Sequence, residues 1–522
     1  MSVRSSVNPK FLVAVALAAV ALGAAACGGS GTSQTTTAKK GGAGGGDLRV
    51  AWTIGPTTFD PAKSGACMIC NAPYLNAVYD RLIESTTALT LKPMLATSWK
   101  FEGDDSFVMA LRQGVKFQDG TPFDAKAVKA NIERTKTLPE ATVVAKSIDV
   151  VKSVEVVDDH TVRLAVEGVS SELPYALAGL AGMMISPAAF SSDLATKPVG
   201  AGAFRLVKAT TGDSGVANYA RFDGYWNRTA PFVDKLSLQG IPDDNQRLNA
   251  LLAGNVDAVN VKLPTYDRAQ GAEKGGQYKI TRYKSKSWVS IFLNSTRPPF
   301  DDIEMRRAIA QAIDKDAIIS GIAKGRCENA TQPLPPEVVG HDPAIESPAY
   351  DPDQARAAFA AKGPSATSLK LLVLGTQPST DFATAIQAQL KKAGVNAKLD
   401  VRPPSDVDQI WAERSKQYNG YVAIKDASPS PGGNFAQTDE PYNPGGWSAD
   451  VKRMVQAAER ATSPDEQQSL WAAASRRMVD EVEEVWLCYP PFAYIHATKV
   501  GNSEVNPLGP LYGVDPSRWT VK

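Results

Sequence analysis

From Asp47 to Lys522 the sequence predicts a mixed α/β fold divided between at least two lobes. Three observations carry that prediction. The stretch is longer than a single hydrophobic core commonly serves. Leu369 to Leu374, Asp381 to Ala393 and Val395 to Val401 read as strand, helix, strand, with Gly394 closing the helix. Such a βαβ unit makes its two strands parallel. Well before it, two alternating apolar patterns each fold back about a polar turn, which is the signature of antiparallel hairpins.

Taken in order, Leu48-Arg49-Val50-Ala51-Trp52 is an apolar strand followed by the turn-rich Gly55 to Pro61. Tyr74 to Ile83 then carries the spacing expected of an amphipathic helix. Trp99, Phe101, Phe107, Met109 and Leu111 alternate around Glu102-Gly103-Asp104-Asp105 and form the first hairpin. Asp119-Gly120-Thr121-Pro122 turns the chain, and Asp124 is placed to cap a helix over Ala125 to Arg134. The second hairpin runs through Val151, Val154 and Val157, turns at Asp158-Asp159, and returns through Val162, Leu164 and Val166. Met305, Ala308, Ile309, Ala312 and Ile313 keep the stripe of a core-facing helix. Asp351-Pro352 is a cap with a first-turn proline, and Gly363 stops that helix. Ser463-Pro464-Asp465-Glu466 is a capping box opening a helix through Met478. No internal repeat is found.

The first residues describe an export signal. Arg4 and Lys10 precede the apolar run Phe11 to Ala21, which leads into Leu22-Gly23-Ala24-Ala25-Ala26-Cys27. A charged start, a short apolar core and small residues make a secretory signal, too short for a comfortable membrane span. Residues Gly28 to Gly46 hold no aromatic residue and no apolar period, so they cannot offset their ordering entropy. They are expected to act as a flexible tether, with a reach of about 5–6 Å times the square root of its length.

Composition excludes several classes. The chain carries 56 Lys and Arg against 55 Asp and Glu, and Arg4, Lys10, Lys39 and Lys40 all precede Asp47. The remainder is therefore close to neutral, which argues against nucleic acid as a partner. Its three histidines, His160, His341 and His496, are far apart and supply a metal centre or catalytic dyad poorly. No G-x-S-x-G elbow, H-E-x-x-H helix or S-x-x-K set is found, so a surface hydrolase is disfavoured. Cys67, Cys70, Cys327 and Cys488 form an even set in an exported chain, where disulfides are the expected state. Four cysteines allow three connectivities. Cys67-Met68-Ile69-Cys70 alone is a weak zinc signal and lacks the strand-and-helix frame of a redox site.

Several strings, read together, resemble a known family. They are Pro93-Met94-Leu95-Ala96-Thr97-Ser98-Trp99, the specific run Leu111 to Phe123, and Lys197-Pro198-Val199-Gly200-Ala201-Gly202-Ala203-Phe204. Gly224-Tyr225-Trp226, the block Pro299 to Lys315, and Tyr350-Asp351-Pro352 with Ala355 follow in the same order. This set is similar to the extracytoplasmic solute-binding proteins of peptide-type ABC importers. The small-residue segment ending in Cys27 likewise resembles a lipoprotein signal, in which that cysteine becomes the lipidated N-terminus. Most of these strings are turn and cap chemistry, so they mark a scaffold rather than a ligand.

The resemblance implies a two-lobed, periplasmic-binding-protein-like (type II) clamp with an extra subdomain in the first lobe. Its divisions here would be 1–27 signal, 28–46 tether, 47–283 first lobe, 284–488 second lobe and 489–522 return to the first. Lys279 to Asn294 and Trp486 to Ile495 would be the two crossovers, and closure would enclose a solute. The implied activity is non-enzymatic capture of a small solute, short peptides foremost, for ABC permease subunits. The implied protein is a monomer tethered to the membrane by its lipid, using no cofactor and no metal. Sugars, opines or metal chelates are alternative solutes, and a sensory lipoprotein is an alternative role. In peptide-binding members an aspartate pairs with the ligand's ammonium, and the comparable stretch Gly420 to Asp426 makes Asp426 the candidate. Trp288, Trp447 and Tyr489 are candidates to stack on the ligand, and Asn434 to hydrogen-bond it.

Overall fold

The computed structural model describes residues 45–86, 90–137, 143–229, 233–283, 287–336, 338–403, 407, 410–411, 415–425, 428, 430–439, 443–503 and 519–522. The signal, Cys27 and most of the tether lie outside the described residues. The described chain belongs to one unit, Gly42–Lys522. It folds into two lobes, each built on its own large sheet.

The first sheet has seven strands. In spatial order they are Tyr278–Tyr283, Phe492–Ala497, Ala258–Val261, Asp47–Trp52, Lys235–Gly240, Val216–Arg221 and Phe204–Ala209. The strand read at Leu48 to Trp52 lies near its middle and pairs in parallel with both neighbours. Both predicted hairpins form, and they join into a separate four-stranded antiparallel sheet. Its order is Ala96–Phe101, Ser106–Leu111, Thr161–Val166, Val151–Asp158. Phe107, Met109, Val162 and Leu164 point from this sheet into the core that also holds Leu48 and Val50. This is the extra subdomain of the first lobe.

The second sheet has six strands, ordered Glu328–Asn329, Glu484–Tyr489, Trp288–Leu293, Gly420–Lys425, Ser368–Leu374, Asn396–Arg402. Ser368–Leu374 and Asn396–Arg402 pair in parallel, with helix Ser379–Lys392 between them in sequence, as a βαβ unit requires. All six residues of Trp288–Leu293 are buried. Its odd-numbered residues, Val289, Ile291 and Leu293, pack beneath helices Ile303–Gln311 and Ser379–Lys392 in one core. Trp288 belongs to a second core on the opposite face, with Phe435, Trp471 and Trp486.

The helix ends agree with their sequence signals. Asp351 accepts the N–H of Gln354, and Ser463 that of Glu466. The second of these helices runs Pro464–Glu481, a turn past the expected Met478, and stops where Val482 adopts φ 50°. One expectation fails. In place of a helix over Tyr74 to Ile83 there is Met68–Leu75, a turn, and the short strand Ile83–Ser85. Nearly every side chain there is buried, polar ones included, so there is no solvent face for an amphipathic helix to present. Asp80 accepts from Trp226 Nε1 at 2.5 Å and from the Tyr225 hydroxyl at 3.2 Å. These distant partners override the local period.

The lobes exchange strands twice. The chain leaves the first sheet after Tyr283 and begins the second at Trp288; it leaves the second after Tyr489 and re-enters the first at Phe492, through Pro490-Pro491. Cys327 and Cys488 are joined by a disulfide with Cα atoms 5.6 Å apart, which fastens the loop before Glu328 to the second crossing strand. The backbones of Cys67 and Cys70 run through Pro61–Cys67 and Met68–Leu75, while their side chains lie outside the described residues.

Candidate functional site

The two sheets come together at the strand ends beside the two crossings, and the residues there form the candidate site. On the second lobe Trp288 opens its strand directly after the crossing, and its Nε1 donates to Glu484 Oε1 at 2.8 Å. Tyr489 ends the returning strand, and its hydroxyl donates to the carbonyl of Gln332 at 3.1 Å. Trp447 is partly exposed and sets its ring edge on Phe435 at 5.9 Å, with Nε1 donating to Thr438 Oγ1 at 3.0 Å. Trp288, Tyr489 and Trp447 thus share one aromatic cluster. In this conformation Trp288 and Tyr489 are core residues with their polar atoms already bonded.

Asn434 has a structural task. Its Nδ2 donates to the carbonyls of Ser428 and Ser430 at 2.9 and 2.8 Å, and its Oδ1 accepts the Ser428 N–H at 2.9 Å. The side chain ties down the loop between strand Gly420–Lys425 and helix Pro431–Ala436, leaving little capacity for a ligand. Asp426 follows Lys425 in sequence and lies outside the described residues. Lys425, just before it, pairs opposite Trp288 and holds its Nζ 5.3 Å from the Tyr421 ring centre.

On the first lobe the crossings are flanked by aromatic residues that the sequence reading passed over. Trp52, at the end of its strand, stacks on Tyr494 at 6.1 Å and meets Phe492 edge-on at 6.4 Å. Tyr283 closes on Phe492 and Tyr494 at 6.1 and 6.2 Å. Their one signal was position: each stands at a strand end or within the crossing strands. Away from these rings the lobes meet through Asp267 of helix Tyr266–Lys274, which pairs with Lys324 and, at 2.5 Å, with Arg326.

Carboxyl groups are unusually enclosed on the second lobe. Burial pushes Glu484 up to about 7, opposed by the hydroxyl of Ser290, the Trp288 N–H and the charge of Lys425. Burial, with the neighbouring Glu481, pushes Glu483 up to about 8. An acid whose folded-state value is raised stabilises fully below its unfolded value of 4.5, and that contribution is lost as pH rises through the folded value. Native stability is therefore expected to decline from about pH 5 to about pH 8, and Glu484→Gln to shallow the decline. Urea midpoints across that range check it; a midpoint that climbs through the window would overturn the assignment.

Two sheet-centred lobes joined by paired crossings, with aromatic and polar side chains gathered beside them, define a two-lobed periplasmic-binding-protein clamp. The chain belongs to the bacterial extracellular solute-binding proteins, family 5, whose middle-region model it matches over residues 90–448. The glutathione-binding protein GsiB of Salmonella paratyphi A is 28% identical over 362 residues, 68% of this chain and 69% of that protein. Among solved structures, DppA from Helicobacter pylori in complex with the peptide STSA superposes with a TM-score of 0.77 at 22% identity, covering 92% of this chain and 98% of that one. NikA from Brucella suis in complex with Fe(III)-EDTA superposes with a TM-score of 0.78 at 23% identity, covering 91% and 100%. These structural likenesses concern the fold.

Proposed function

We propose that this protein captures a small solute, foremost a short peptide, between its lobes and delivers it unaltered to an ABC permease. The observation that carries the reading is the family membership joined to the doubly crossed fold, because two lobes joined only at such crossings can close on a solute and expel water. A peptide-like solute is favoured by relatives that bind glutathione and the peptide STSA. The likeness to a protein holding Fe(III)-EDTA keeps a metal chelate as the second reading. Cys27 would carry the lipid anchor, with residues 28–46 as tether, and the lobes would divide at 283/284 and 488/489.

Asp426 is proposed as the partner of a peptide's α-ammonium, since an enclosed cation needs an enclosed anion. The partly exposed Trp447 would line the chamber, with the buried Trp288 and Tyr489 supporting it from the same cluster and Asn434 holding Ser428 and Ser430 in place. A thermal-shift screen with di- to pentapeptides and metal chelates tests the function, because a bound ligand raises the melting temperature by mass action. Peptides are expected to shift it, and Asp426→Ala to weaken calorimetric peptide affinity more than about tenfold, roughly 1.4 kcal/mol. A shift by chelates alone would replace the peptide reading with the chelate reading; turnover of the solute would reject both.

A further inference from the structure

The seam between the lobes carries a contact that capture of a solute does not by itself require. Ser171 and Glu172 precede the short helix Leu173–Leu177, whose two leucines are anchored in the first lobe's core. Both residues reach across to the second lobe. The Ser171 N–H donates to the carbonyl of Glu459 at 2.7 Å, and its hydroxyl to the carbonyl of Ala458 at 3.5 Å. Glu172 Oε1 accepts the N–H of Gly432 at 3.1 Å. The Ser430 hydroxyl and the Gly433 N–H act on the same carboxyl group. Gly432 permits the approach because it has no side chain: a Cβ there would stand 2.6 Å from the Glu172 carboxyl carbon. These partners are 260 and 287 residues apart in sequence and sit on opposite lobes, so the contact exists only while the lobes are together.

We propose that Ser171-Glu172 is a proton-linked latch, which fastens the two lobes in the shut form and holds them more firmly when Glu172 carries a proton. This rests on the clamp reading above and adds a control to it. The chemistry supports the sign. In the shut form burial pushes the Glu172 carboxyl up to about 7, and the charge of Glu459 adds to the effect. Ser430 and the N–H groups of Gly432 and Gly433 oppose it. Burial likewise raises Glu459, with Arg460 opposing, and Tyr175 on the adjoining helix is raised by burial and by Glu172 itself. When the lobes part, Glu172 meets water and returns toward an ordinary value of about 4.3. The shut form therefore binds the proton more tightly, so closing takes up a proton between these two values and falling pH favours closure. A neutral carboxyl still accepts the Gly432 N–H and gains a donor of its own for Ser430.

Small-angle scattering of the solute-free protein from pH 8 to pH 5 tests the latch. The shut-to-open ratio of the wild type is expected to rise as pH falls, by at most about tenfold per unit. Glu172→Gln keeps the contact without the Glu172 titration, and is expected to stay shut with a much shallower pH response than the wild type, the remainder coming from Glu459. Glu172→Ala is expected to stay open across the range. A wild type indifferent to pH, or a Glu172→Gln variant that responds as steeply as the wild type, would overturn the proposal. The clamp reading is judged separately by adding the peptide library to Glu172→Ala at pH 7.5. Closure there retains the clamp whatever becomes of the latch; calorimetric binding without any change in radius would reject the clamp.

Discussion

Trp288→Ala is expected to cost about 3–5 kcal/mol of folding stability, among the larger effects a single substitution produces. Trp288 is fully buried at the point where the chain enters the second lobe, within a cluster that includes Trp486, Trp471 and Phe435. Removing the indole leaves a cavity in that cluster. It also strips Glu484 of the Nε1 donor, leaving a buried carboxyl group with less support. Trp288→Phe refills most of the volume and isolates the hydrogen bond, so its loss should be about 1–3 kcal/mol. Urea unfolding with a constant slope measures both. Were Trp288→Ala to unfold at the wild-type midpoint yet lose solute affinity, the residue would be a ligand contact and its core role would be discarded.

Loss of the Cys327–Cys488 disulfide is expected to lower stability by about 2–5 kcal/mol, since it closes a long loop in the unfolded chain. The two cysteines are 161 residues apart in sequence, and both are buried against the second sheet. The crosslink holds the short edge strand Glu328–Asn329 to the strand that returns to the first lobe. The same loop bears Lys324 and Arg326, which pair with Asp267 of the first lobe. A Cys327→Ser, Cys488→Ser double variant should therefore melt earlier and change the interlobe geometry near the crossings. Calorimetric melting under non-reducing conditions settles the first point; an unchanged melting temperature would show that the sheet holds without its clasp.

Local chemistry made much of the fold readable. The caps at Asp351 and Ser463, and the parallel pairing around Ser379–Lys392, depend on residues within a turn or two of each other. The family strings work in the same way, being mostly turns. Tyr74 to Ile83 departs from its helical spacing because Asp80 is satisfied deep in the protein, by groups the local pattern does not contain. The sequence names candidate side chains near the crossings, and the structure gives several of them structural tasks instead. Asn434 and Tyr489 have the types a ligand would want, yet their polar atoms bond to carbonyls of nearby loops. Nothing near Glu172 in sequence announces a partner at Gly432.

By itself the sequence determined the α/β class, the two hairpins, the βαβ unit, the capped helix starts at Asp351 and Ser463 and the even set of cysteines. Each of those is written in short-range spacing and backbone preference, which act before distant segments meet. Tertiary structure decided that Cys327 pairs with Cys488, that Trp288 faces Glu484, and that Glu172 reaches the opposite lobe. Such pairings are chosen by which surfaces pack and which buried polar atoms find partners. That selection operates across hundreds of residues and leaves no local trace.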